Sequence, residues 1–565
     1  MLGIGGWDWI TLGIYLVGVT AIGVWTARKV KDTADFFIGG RRFGKAFMLF
    51  FAFGAGTNGN QAVGVASKTY SNGMSGIWYQ LLWLFSTPFY WLIAPVFRRM
   101  RAITTGDFFQ YRYGGYTDAL YAVVGPLQLV VNIGVMLKGS GAVIEAISGH
   151  AINQNIAILV MTVLFVVYGV AGGLSAAIVT DFIQGILTVL LSFMLIPFAL
   201  QAVHGFAGLH DKISDPAMFS LVAPGEINLF HIVMMSVNAL VGIVVQPHIM
   251  GVCAGGRTEM DGRVGFGAGN LLKRICTVAW MLTGLCAVVM YSNLKGGEVD
   301  LVYGKMARDL LPGILPGLVG IFLASLLASV MSSCDAFMVS SSGLFTQNLY
   351  RRYIVRHKED KHYVLVGRIT SVLLVAGSLV FAYTIEDVPT GLEIFWKVAA
   401  MMGAGFWVGL YWRRATPHAV WASTLVAFAL IVTTSTGSFN NWAVEHLPDY
   451  MIWDGKFRVS FQMFVYLTAA FGTCIGVSLI TPRVPNEQLE RFYACLRTPV
   501  GSDEPHLEPF SLPEGVEPGP ARKLIDHPDL EIPVPTLIGM GGFIFFWGCV
   551  AGMIGSIYWM STWGS

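Results

Sequence analysis

Charge is confined to the gaps between long apolar stretches, and this alternation constrains the chain more than any other feature. A helix crossing hydrocarbon needs about 20 predominantly apolar residues, and roughly 14 such stretches follow one another. They lie near 7–27, 46–67, 73–97, 120–147, 153–172, 178–203, 229–252, 269–292, 314–347, 364–385, 391–412, 416–436, 457–481 and 536–560. Between them sit nearly all the Asp, Glu, Lys and Arg residues, only 12% of the 565-residue chain. A soluble domain carries about twice that share. The expectation is an all-α, multi-pass membrane protein with about 14 transmembrane helices.

Basic residues fall on alternate connections. The first holds Arg28, Lys29, Lys31, Arg41, Arg42 and Lys45, and the third Arg98, Arg99, Arg101 and Arg112. The seventh holds Arg257, Arg263, Lys273 and Arg274, and the ninth Arg351, Arg352, Arg356, Lys358, Lys361 and Arg368. The eleventh holds Arg413 and Arg414. By the positive-inside rule these odd connections face the cytoplasm of a cytoplasmic (plasma) membrane, which puts both termini outside. No cleavable leader is expected, because the first apolar stretch is long enough to span and basic residues follow it. The segment 482–534, rich in Pro, Glu and Asp, reads as a disordered or loosely docked cytoplasmic linker.

Two stretches are poor helices. The second contains Gly54-Ala55-Gly56-Thr57-Asn58-Gly59-Asn60-Gln61, and the seventh contains Asn238, Gly242 and Gln246-Pro247-His248. Glycine weakens a helix, and proline removes an amide donor and crowds the preceding turn. Lipid cannot satisfy the backbone groups exposed, so they must meet protein, water or an ion. Close packing through small residues is the alternative for the glycines, but it leaves Asn58, Asn60 and Gln61 unexplained. Interruptions five spans apart would each open one of two five-helix units, and an odd repeat length inverts one unit against the other. Paired broken helices in inverted repeats point to a transporter's binding site.

Other classes fare poorly. A net charge of +2 gives no reason to invoke nucleic acid, and the seven cysteines show no paired spacing for zinc or disulfides. No grouping of catalytic residues suggests an enzyme. A non-transporting nutrient sensor stays open as an alternative.

Three blocks resemble the sodium:solute symporter family. They are Phe37-Ile38-Gly39-Gly40-Arg41; Tyr168-Gly169 through Gly172-Gly173-Leu174-Ser175-Ala176 to Thr180-Asp181-Phe182-Ile183-Gln184; and Ser332-Ser333 with Leu344-Phe345-Thr346 and Tyr350-Arg351-Arg352. Gln246-Pro247-His248-Ile249 is similar to a stretch of the proline-type members. The likeness runs over roughly residues 10–435 and implies a LeuT-like 5+5 inverted repeat with two broken helices. The implied layout is a first helix and connection (1–45), a transport core (46–412, with repeats near 46–203 and 229–412), peripheral helices (413–481), the linker and a last helix (535–565).

The resemblance also implies a sodium-coupled symporter that imports a small organic solute by alternating access, with Na+ as coupling ion. Sodium would bind the carbonyls of Gly54, Thr57 and Ser329 and the hydroxyls of Ser332 and Ser333. Asp181 aligns with an aspartate that helps hold a second cation in some members. Asp335, three residues after Ser332, replaces a hydroxyl there, and it fits either a second cation or proton coupling. Gln61, Gln80 and Asn238 align with solute-contacting positions of sugar-type members. Intramembrane lysines are functional candidates in their own right. Lys68, Lys138 and, more weakly, Lys397 therefore suggest an anionic or zwitterionic solute, such as a monocarboxylate or amino acid. Snorkelling or ion pairing is the alternative for each lysine, and a sugar or polyol is the alternative solute.

Overall fold

A computed structural model describes residues 5–27, 33–223, 225–501, 504 and 508–564. Arg28, Lys29 and Lys31 lie outside the described residues. So do the side chains of 167–173 and 175–176, which belong to the second resemblance block.

The frame is helical throughout, apart from a two-stranded hairpin at Ile452–Trp453 and Lys456–Phe457. We number the helices that matter below α1 (Gly6–Ala27), α2 (Lys45–Gly56), α3 (Gly59–Asn72), α4 (Thr87–Arg99), α5 (Gly106–Tyr113), α6 (Thr117–Ile147), α7 (Gln154–Met194), α8 (Leu229–Ile243), α9 (His248–Ala254), α10 (Glu259–Met290), α11 (Leu318–Gly343), α12 (Asp360–Thr384), α13 (Val388–Ala400), α14 (Gly403–Tyr411), α15 (Pro417–Ser435), α16 (Val459–Ile480), α17 (Asn486–Arg497) and α18 (Leu537–Met560). Among the described residues, nine helices are long and apolar enough to cross a membrane, or ten if the bent pair α8–α9 is one span. Shorter apolar helices occupy Gly6–Ile22, Lys45–Gly56 and Gln154–Val166. The expected stretch 73–97 is broken into a 3-10 turn, a four-residue helix and α4.

Burial sorts the helices into centre and rim. The apolar window of α11 is 89% buried, whereas that of α18 is 17% buried and leaves Leu537, Phe545 and Trp559 facing outward. A helix apolar on all sides and exposed on most of them has lipid as its solvent.

Both expected interruptions are present. Between α2 and α3, Thr57 (φ −130°, ψ 119°) and Asn58 (φ −149°, ψ 166°) are extended. Between α8 and α9, the chain bends by 71° just before Pro247. Glycine allows the close approaches here. A Cβ on Gly59 would stand 2.4 Å from Leu326 Cδ1 of α11.

The connections segregate as the basic pattern predicts. At one end, Arg41 donates to the Ala102 carbonyl (2.9 Å), and Arg257 N donates to Phe43 O (3.0 Å), so the first, third and seventh connections meet. At the other end, Lys68 pairs with Glu226 (2.7 Å) and Tyr70 donates to the Tyr291 carbonyl (2.9 Å). Near that end Asp8 accepts from Gly320 N (2.9 Å), and Trp563 packs on Phe206 with ring centroids 5.0 Å apart.

Two expectations need correction. Helix α10 begins at Glu259, ten residues before the predicted start, and Lys273 and Arg274, counted with the seventh connection although they fall inside the stretch 269–292, are buried residues in the middle of that helix. The segment 482–534 is docked. In it, Phe492 of α17 stacks on Phe510 (4.8 Å) and meets Phe108 of α5 edge-on (5.4 Å). Arg413 bridges Glu490 (2.7 Å) and Glu531 (2.6 Å), and Arg101 pairs with Glu504. Charged residues dominated the composition of this segment, but its aromatic residues supply the docking face.

Candidate functional site

The break after α2 strips carbonyls of their helical partners, and two neighbouring helices supply replacements. On α11, Ser333 Oγ donates to the Gly54 carbonyl (2.7 Å) and accepts from Asn58 Nδ2 (3.3 Å). One turn earlier, Ser329 Oγ accepts from Gly59 N (3.1 Å), an orphan amide at the start of α3. The two serines therefore hold the two halves of the broken helix against one face of α11.

Beside this junction is a cluster of oxygens that the protein leaves unsatisfied. Ser332 Oγ and Thr57 Oγ1 are buried and have no hydrogen-bond partner among the described residues. Asp181 of α7 is fully buried with the Ser332 hydroxyl as its near neighbour, and neither carboxylate oxygen has a hydrogen bond of good geometry. Ser332 and Asp181 converge on Gly54, whose carbonyl also accepts from Thr57 N (3.3 Å). A Cβ added there would stand 2.5 Å from Ser332 Oγ and 3.6 Å from Asp181 Cβ and Cγ. Asp335, one turn beyond Ser332 and also buried, is near enough to interact with Asp181 electrostatically. Buried polar groups are nearly always paired, and a cluster of orphan oxygens beside a carboxylate has the chemistry of a hard-cation site.

A cavity adjoins this cluster where the two interrupted helices face each other. Its walls include Gly56 and Gln61 of the first break and Gln246 and His248 of the second. Asn132 of α6, Tyr90 of α4, Trp83, and Asn270, Lys273 and Arg274 of α10 complete the polar part. The space open to the centres of water molecules is about 40 Å³, enough for a few waters and too small for most solutes.

Of the sequence-selected residues, Gly54, Thr57, Ser329, Ser332, Ser333 and Asp181 come together at the junction, with Asp335 beside them. Gln61, Gly56, Gln246 and His248 reach the cavity wall, while Pro247 stands at the bend behind it. Gln80 is next to it, since its carbonyl accepts from Arg274 Nη1 (3.3 Å). The other four solute candidates are not on this wall. Asn238 donates to the Trp396 carbonyl (3.0 Å) and accepts from Tyr466. Lys68 is paired with Glu226 and lies over the Tyr79 ring (4.8 Å). Lys138 of α6 is half-buried away from the cavity, and Lys397 donates to Gln462 (3.1 Å).

Lys273 and Arg274 were hidden in the sequence by their apparent place among cytoplasmic charges. Lys273 stands 14 residues into α10, a rise of about 21 Å. Its ammonium donates to the Gly56 carbonyl, the same oxygen that accepts from Gln61 Nε2 (3.0 Å).

The geometry has the arrangement of an ion-coupled carrier, and comparison with known proteins agrees. The family model described as "Sodium:solute symporter family" matches residues 36–426, and the chain belongs to that family. The osmoregulated proline transporter OpuE of Bacillus subtilis (strain 168) is 26% identical over 467 residues, covering 78% of this chain and 92% of that one. A sodium/glucose cotransporter of Vibrio parahaemolyticus is 24% identical, covering 72% and 81%. Among solved structures, a substrate-bound, outward-open Na+-coupled sialic acid symporter superposes with a TM-score of 0.69 at 15% identity. It covers 85% of this chain and 99% of its own, and at that identity the likeness speaks for the fold alone. The protein is a multi-pass membrane symporter with a LeuT-like fold and sodium as its coupling ion, and it is not an enzyme.

Proposed function

We propose that the chain imports a small organic solute across the cytoplasmic membrane by alternating access, one sodium ion binding where the α2–α3 break meets α11. The observation that carries this reading is the junction itself. The carbonyl of Gly54 and the hydroxyls of Ser332 and Ser333 converge there, with Thr57 and Ser329 completing the oxygen-rich face. Sodium needs several oxygen ligands and accepts neutral ones, and unwound backbone at a broken helix supplies them. Asp181 and Asp335 form a second cation or coupling site alongside. Gln61 and Gln80 contact solute in the adjoining cavity, whose small volume fits a state closed to both sides.

The full architecture in this reading is 14 spans with two inverted five-helix units, the breaks falling in the second and seventh spans. Odd connections and the docked 482–534 segment face the cytoplasm and both termini face outward. The meeting of odd connections at one end and even connections at the other supports this orientation.

Reconstitution tests the proposal. Proteoliposomes low in internal sodium are placed in NaCl or choline chloride with labelled lactate, L-proline or glucose. Accumulation of one of them above equilibrium only in NaCl is expected. Uptake that is equal in the two salts would refute sodium coupling.

A further inference from the structure

Lys273 and Arg274 are consecutive residues in the middle of a membrane helix, 5% and 1% exposed. Desolvating one cation at such depth costs several kcal/mol unless an opposite charge is supplied. None is supplied here. Among the described residues, no carboxylate lines the cavity and neither side chain enters an ion pair. The charged neighbour that acts on Lys273 is Arg274, a like charge. What the two cations have is neutral. Lys273 has the Gly56 carbonyl and the face of Trp83 (5.2 Å). Arg274 has the Gln80 carbonyl (3.3 Å), Asn270 Oδ1 (3.5 Å), the neighbouring Tyr90 hydroxyl and the same Trp83 ring at 6.0 Å. Gln80, whose backbone carbonyl Arg274 holds, is buried, and its side-chain amide lacks a hydrogen-bond partner at both ends.

Other buried cations among the described residues are met in different ways, and Arg98 and Arg263 also keep nitrogens without a hydrogen-bond partner. Lys68 has Glu226, Arg101 has Glu504, and Arg112 has a ring of four carbonyls. What sets Lys273 and Arg274 apart is their place on the wall of the cavity between the two broken helices.

We propose that Lys273 and Arg274 are the receptor for a carboxylate group of the solute, with the Gln80 amide as a third donor. The inference rests on the symporter reading above and deepens it, since it assigns the solute class. An anion entering the cavity supplies the missing charge and draws the Lys273 ammonium off the Gly56 carbonyl. Gly56 is two residues from Gly54, in the stretch whose carbonyls face sodium. The solute and the ion therefore act on one short piece of unwound backbone. That is a physical route for each to change the affinity of the other, as coupling requires.

The test is thermal unfolding of the purified full chain in detergent, with each carboxylate matched to its neutral or amide counterpart. The pairs are lactate with lactamide, L-proline with L-prolinamide, and acetate with acetamide; glucose and myo-inositol are added singly. All are measured in NaCl and in choline chloride. The expected result is that at least one carboxylate raises the melting temperature and its amide does not. In Lys273→Met the apparent affinity for that carboxylate falls by about 10- to 100-fold, the loss of one charge-assisted hydrogen bond, and Lys273→Arg restores part of it. The inference is overturned if an amide or polyol stabilises as well as the acids, if no carboxylate stabilises, or if Lys273→Met keeps the wild-type response. The acid–amide comparison uses wild-type protein, so misfolding of a variant does not blunt the test. Equal melting in NaCl and choline chloride without solute would instead strike the sodium reading, and the carboxylate response in choline would still decide this one.

Discussion

Replacing Ser333 by alanine separates the two jobs assigned to its hydroxyl. Without sodium, that oxygen ties the halves of the broken helix to α11 through Gly54 O (2.7 Å) and Asn58 Nδ2 (3.3 Å). Its removal leaves Gly54 O with only the 3.3 Å contact from Thr57 N, and it deprives the Asn58 side-chain amide of its acceptor. Two net hydrogen bonds at about 1 kcal/mol each, plus part of the cost of unsatisfied buried groups, give a loss of about 2–3 kcal/mol in choline chloride. With sodium at ten times its dissociation constant, the wild type gains about 1.4 kcal/mol by mass action. Ser333→Ala should gain almost nothing. The assay is melting in matched NaCl and choline chloride, followed by intrinsic fluorescence. Ser340→Ala is the control, because its hydroxyl bonds only to Ala336 O of its own helix (2.7 Å). It should keep the full sodium increment. If Ser333→Ala is destabilised in choline yet retains the wild-type increment, Ser333 is an interhelical strut and the ligand assignment is wrong.

Three other outcomes are expected. Gly54→Ala puts a methyl 2.5 Å from Ser332 Oγ, and should abolish the sodium increment while costing about 1–3 kcal/mol in either salt. Arg112 is fully buried and donates to the carbonyls of Gly409 (2.8 Å), Trp412 (2.7 Å), Arg413 (3.2 Å) and Ala415 (3.3 Å). Arg112→Ala should lose more than about 3 kcal/mol and depress the yield of monodisperse protein, with the sodium increment intact. In the loop before residue 302, burial pushes the Asp300 carboxyl up from 3.8 to about 6, against hydrogen bonds from Val388 N and Ser67. The folded chain then binds more protons than the unfolded one between those values, so stability should fall as pH rises from about 4 to 6 and level off above. Asp300→Asn should flatten that slope in a melting series, and an unchanged slope would assign it to another group.

How much of this was readable from the chain depends on what each residue had to compete with. The two breaks were readable because glycine, amides and Pro247 oppose the helix locally, whatever packs around them. The placement of Ser332 and Ser333 opposite Gly54 needed the family resemblance, since serines in a membrane helix bond equally well to their own backbone, as Ser340 does. Lys273 and Arg274 were misread because an apolar window cannot tell a basic pair just outside a span from one inside it. The helix start moved ten residues once Thr258 and Asp261 formed a capping box. Lys68 was plausible as a ligand until a loop more than 150 residues away delivered Glu226 to it. Long-range pairing of that kind leaves no local pattern in a single sequence.

The docked stretch after α16 has a mechanical meaning. It lies across helix ends that come from different parts of the fold. Arg99 at the end of α4 holds the Leu496 carbonyl (3.2 Å), Glu259 at the start of α10 accepts from Val500 N (3.0 Å), and Tyr493 reaches Gly409 O in α14 (2.8 Å). Any motion that spreads these ends must carry the strap along or peel it away one bond at a time. The strap therefore ties those helix ends to one another. Each bond it makes adds to the work of any motion that parts those helix ends.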